Sequence, residues 1–161
     1  MKRLKDGFTL IELLVSLGIM GLVIVSFNSL FFATLKGSKK ADIQQKMKQS
    51  GDYALNVMAT KIRNAQSVSV CSANSLTIVN PDGSTSAFSL GGNQIIADGS
   101  GLTDSVFIAS APPVSGKVFS CPVPPLDKPQ LVTVSFILSK TGAIEETVQE
   151  SFQTMVSPRS Y

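Results

Sequence analysis

Residues 7–35 read GFTLIELLVSLGIMGLVIVSFNSLFFATL. From Leu13 to Leu35 there are 23 residues without a charge. As a helix they would extend roughly 34 Å, enough to cross a hydrocarbon core of about 30 Å. Gly18, Gly21, Ser26 and Asn28 interrupt the apolar run, but hydrophobic residues dominate it. A cleavable secretory signal has an apolar region of only about 7–15 residues, so this run is too long for one. A plain signal anchor fits the length. Glu12 fits neither description. It stands at the mouth of the run, where an ionised carboxylate costs on the order of 2–3 kcal/mol and needs a partner. Two partners are open to it: the positive end of its own helix in a solvated interface, or a group on another chain.

The rest of the composition bounds the function. The chain has 161 residues, room for one modest domain beside an anchor. Its mean hydropathy is +0.25, and the apolar bias lies in the first 35 residues. The first seven residues carry Lys2, Arg3 and Lys5 against Asp6; the remainder holds 11 basic and 10 acidic side chains. A nearly neutral body argues against nucleic-acid binding as the main task. There is no histidine, which excludes a Ser-His-Asp triad, a Cys-His dyad and a His-ligated zinc site.

Beyond Lys36-Gly37-Ser38, read as a break, a second helical pattern begins. Ile43, Met47, Ala54, Met58, Ile62 and Ala65 recur at steps of three, four or seven and mark one apolar face. Past Ser67 the pattern turns to short β segments: 68–71, 76–79, 87–90, 94–97, 106–109, 117–121, 131–138 and about 146–156. Turn signals separate them, among them Asn80-Pro81-Asp82-Gly83, Gly91-Gly92-Asn93, Pro112-Pro113 and Lys140-Thr141-Gly142. Val132, Val134, Phe136 and Leu138 alternate with Thr133, Ser135 and Ile137, as in a strand with one buried face. The last two segments read as a hairpin. The stretch 122–129, with four prolines, reads as an irregular loop.

The run from Lys2 to Leu13 resembles the leader and cleavage site of type IV pilins and type II secretion pseudopilins. That family has a short basic leader, Gly, a methylated residue that is usually Phe, Thr-Leu-Ile-Glu, and then about twenty apolar residues. The resemblance implies an α+β, pilin-like fold: a leader at 1–7, a transmembrane helix at 8–35, an amphipathic stalk helix at 36–66, and an extracytoplasmic antiparallel β head at 67–161. It implies that prepilin peptidase cuts after Gly7, that Phe8 becomes the N-methylated terminus, and that Glu12 neutralises the Phe8 ammonium of a neighbouring subunit. Its implied partners are that peptidase, other pilin or pseudopilin subunits, an inner-membrane assembly platform, and membrane lipid before assembly. Lys36, Lys39 and Lys40 balance the basic leader, so the positive-inside rule does not decide orientation. A cytoplasmic N-terminus in the inner membrane rests on the resemblance. A finer similarity, to W-type minor pilins and J-type pseudopilins, rests on Gln49–Leu55 and Ile62–Ala65.

In that orientation Cys71 and Cys121 lie outside the cytoplasm, where a disulfide is favoured; two unpaired, buried cysteines are the alternative. Asp98–Asp104 looks at first like a calcium loop, but position twelve of an EF-hand needs Glu and Ala109 stands there. Glu145, Glu146 and Glu150 read as charges on an edge hairpin, not catalytic carboxylates. The expectation is therefore a non-enzymatic structural subunit, without cofactor or metal, of a type IV pilus, a DNA-uptake pilus or a type II pseudopilus. The alternative is a filament-tip module whose head recognises DNA, a surface or a secreted protein.

Overall fold

A computed structural model describes residues 8–123, 130–141 and 147–159. The leader with Gly7, most of the proline-rich stretch, and Glu145 and Glu146 lie outside the described residues. The chain divides into two compact units, residues 1–42 and 43–161.

A single helix, α1, covers Leu10–Asn64 and contributes to both units. The local break read at Lys36-Gly37-Ser38 does not occur, and the anchor and stalk segments form the one long helix that the pilin-like resemblance implies. Gly37 weakens a helix by no more than about 1 kcal/mol, too little to end one with strong formers on both sides. In the first unit every residue from 8 to 39 is exposed. Among the described residues α1 is the one helix long and apolar enough to cross a membrane, with a peak mean hydropathy of 2.4.

The second unit is a helix under antiparallel sheets. A meander of β1 (Ser67–Cys71), β2 (Ser75–Val79), β3 (Thr85–Gly91), β4 (Gln94–Ala97) and β5 (Ser100–Gly101) forms the first sheet. Asp98-Gly99 makes the two-residue β4–β5 turn. Both residues have positive φ, 50° and 84°, as the tight hairpin turn that matches strand twist requires. The second sheet is built on β8 (Val132–Thr141). There β9 (Thr147–Val156) runs beside all of it, while β6 (Ile108–Ser110) and β7 (Phe119–Ser120) pair with separate stretches of it.

The expected strands at 106–109 and 117–121 are shorter and shifted. Asp104 draws in the amides of Val106, through its carboxylate, and Phe107, through its carbonyl, so a turn takes those residues. The Val118 amide donates to Ala73 of the first sheet's β1–β2 turn, not to a strand partner. The expected hairpin of the last two strands is present, and β8 extends three residues past Leu138.

The apolar stripe of α1 is the floor of the core. Met47, Ala54, Met58 and Ile62 are fully buried with Leu76, Ile78, Phe88, Val132, Val134, Phe136 and Leu138. Gly51 completes the stripe at a point the sequence pattern leaves blank. Phe152, stacked on Phe136 at 5.3 Å, presses its ring against the helix there, and a Cβ on Gly51 would fall inside that ring. Polar ties flank the contact: the Asp104 amide donates to Ser50 Oγ at 3.0 Å, and Lys61 Nζ donates to Asp98 Oδ2 at 2.7 Å. Asp98 also accepts the Ala87 amide. The Lys61 bond first, and that amide second, hold its carboxyl below the usual aspartate range.

Cys71 and Cys121, 50 positions apart in sequence, are joined by a disulfide. The bond ties the end of β1 to the residue after β7.

Gly51→Ala should destabilise the head by about 1–3 kcal/mol, because the stacked ring cannot withdraw. Urea unfolding of the full chain in detergent measures this, and Phe152→Leu should recover part of the loss. Reduction of Cys71–Cys121 should cost up to about 4 kcal/mol by loop entropy, read as a lower unfolding midpoint in dithiothreitol that a Cys71→Ser/Cys121→Ser variant reproduces and no longer shifts.

Candidate functional site

The residues to which the sequence assigns processing and assembly cluster at the start of α1. Phe8 is exposed, Thr9 precedes the first helical residue, and Glu12 lies in the first turn. The local chemistry explains why the helix begins here. The Thr9 carbonyl accepts the Leu13 amide at 3.2 Å, the first backbone bond of the helix. Thr9 Oγ1 accepts the Glu12 amide at 3.3 Å. The Thr9 hydroxyl also approaches Glu12 Oε2 at 3.5 Å, at the long limit of a hydrogen bond. Thr9 is thus the N-cap and Glu12 the third helical residue, the placement of a capping box.

This gives Glu12 a role within its own chain. It puts negative charge near the positive end of the helix, and its amide is satisfied by Thr9. Among the described residues its carboxylate, however, has only the long Thr9 contact. Ser16, one turn on, turns its hydroxyl back to the Leu13 carbonyl at 2.9 Å and gives Glu12 nothing. Around it Ile11, Val15 and Ile19 are exposed, so the carboxylate stands on an apolar surface.

The capping role of Thr9 is absent from the reading above, although Thr9-x-x-Glu12 ahead of an apolar run is itself a helix-start signal. Gly7 lies outside the described residues, so its geometry relative to Phe8 is not described. The considered calcium loop has other work: Asp98 binds Lys61 and the Ala87 amide, and Asp104 binds the Val106 amide. Among the described residues no group of three His, Cys, Asp or Glu side chains could hold a metal ion. Glu150 lies 4.0 Å from Lys48, an exposed ion pair of little energetic weight.

Replacing Thr9 by Val should fray the first turn, a loss of about 1 kcal/mol at the cap. Amide exchange of Glu12 and Leu13 in micelles should accelerate in Thr9→Val and stay near native in Thr9→Ser.

A protein-family model, the prokaryotic N-terminal methylation motif, matches residues 2–27. It takes in the basic leader, Gly7, Phe8, Glu12 and about two thirds of the apolar run, and leaves the head outside. No curated protein and no solved structure matches the chain. The motif belongs to a structural, not a catalytic, family, and it implies processing by prepilin peptidase and assembly with other pilin subunits. One long apolar helix behind it fits an inner-membrane anchor. The chain thus carries this motif ahead of one long apolar helix and antiparallel sheets, a combination that supports the type IV pilin and pseudopilin family.

Proposed function

We propose that the chain is a minor pilin or pseudopilin of a type IV pilus, a DNA-uptake pilus or a type II secretion pseudopilus. Prepilin peptidase cuts after Gly7 and methylates the new terminus at Phe8. The mature subunit waits in the inner membrane, N-terminus inside, until the assembly platform extracts it. Its apolar helix is then buried again against those of its neighbours.

The observation that carries this reading is the state of Glu12. It is the only carboxylate between Phe8 and Leu35, it stands on an exposed apolar helix face, and among the described residues its own chain offers only the long Thr9 contact. A charge in that setting is costly without a counter-ion. Cleavage would create one four residues away, the Phe8 ammonium, on every copy. In a bundle of parallel copies, a small axial stagger sets the ammonium of one subunit beside the carboxylate of the next.

The head supports a structural role over nucleic-acid capture. The outward positions of β8 and β9 (Thr133, Ser135, Ile137, Ser139, Gln149, Ser151 and Gln153) carry no charge. That face offers no cation to a phosphate backbone.

Glu12→Ala should leave leader removal intact and abolish incorporation into filaments. Immunoblots for the mobility shift on cleavage, and of sheared filaments, read the two steps separately. Normal incorporation of the variant would overturn the assigned role.

A further inference from the structure

Lys36, Lys39 and Lys40 follow the apolar run directly, and the proposed assembly step does not use them. Lys36 and Lys39 are exposed; Lys40 is half-buried and already engaged. Because the helix continues through this stretch, their directions are defined. Lys36 and Lys39 point about 60° apart, and Lys40 about 40° from Lys36 on its other side. The three ammonium groups therefore form a one-sided comb. Like charges three and four apart on a helix repel one another, so the comb is relieved by an anion laid across it. Between the two exposed lysines sit Gly37 and Ser38, and around Gly37 there is open space where a side chain would stand.

We infer that Lys36 and Lys39, with the added charge of Lys40, bind the phosphates of anionic phospholipid headgroups at the end of the membrane span. Two features favour lipid as the occupant. The comb begins one residue after Leu35, the last residue of the 23-residue uncharged run, so its depth is that of the headgroup layer when the run fills the hydrocarbon. Its charge complements that of an acidic leaflet, to which each lysine near the surface adds on the order of fivefold in affinity. The inference rests on the reading of the chain as membrane-anchored, and it assigns the comb a second task. Once a cut after Gly7 removes Lys2, Arg3 and Lys5, these lysines are the basic side chains left beside the span. The mature helix then carries basic side chains at one end only.

The test uses the full chain reconstituted in vesicles of phosphatidylcholine, with and without phosphatidylglycerol. Flotation reports whether the chain inserts. Spin-labelled phosphatidylglycerol and phosphatidylcholine then report which lipid is motionally restricted at the protein. The wild-type chain should prefer phosphatidylglycerol several-fold. The preference should fall toward parity in Lys36→Gln/Lys39→Gln and in high salt, and persist in Lys36→Arg/Lys39→Arg. Flotation should be unchanged in all three. Failure to float would overturn the membrane anchor itself. A floating wild-type chain with no lipid preference, or one whose preference survives the Gln variant, would overturn the lysine site alone. So would a Gln variant that keeps its lipid preference but loses filament assembly, because the comb would then serve a neighbouring subunit.

Discussion

Everything in the head depends on one helix face meeting two sheets. The steps between Met47, Gly51, Ala54, Met58 and Ile62 are those of a single helical stripe, and each of these residues is buried. Both sheets contribute side chains to the layer that covers it, Leu76, Ile78 and Phe88 from one and Phe136, Leu138 and Phe152 from the other. The stripe is what makes one core out of two sheets. Its narrowest point is Gly51, where an aromatic ring takes the volume a side chain would occupy. A small residue in mid-helix, costly by helix propensity alone, is here the condition for close packing.

The legible parts of the fold are those written as periodicity. The helical stripe and the alternation of Val132, Val134, Phe136 and Leu138 predict burial that the structure has, because period alone decides which side of an element faces inward. What was not legible depends on tertiary partners. Gly51 reads as a weak point until Phe152 is placed over it. Val118 looks like part of a strand until its amide is seen to serve the carbonyl of Ala73, 45 positions away in the chain. In each case a local pattern competes with a distant hydrogen bond or contact, and the distant one wins.

At the start of the anchor, one short motif carries two kinds of information. Thr9 and Glu12 start the helix by ordinary capping, and the same Glu12 belongs to the motif of pilin-type chains. The two roles are compatible because capping draws mainly on the amide of Glu12 and the hydroxyl of Thr9, while the carboxylate stays available. A cap also holds that carboxylate in one orientation near Phe8, where a frayed first turn would let it wander. A residue that looks structural within one chain can therefore be the group that recognises the next.

The cystine has a consequence for resistance to cleavage. Cys71 and Cys121 enclose β2 through β7 in a covalent ring, and the exposed turn at Asn80–Ser84 lies on its rim. A protease that cut that turn would open the ring without freeing either piece. The helix floor and the β8–β9 hairpin would stay tethered to both sides of the nick. The bond thus makes the head tolerant of damage along about a third of the chain.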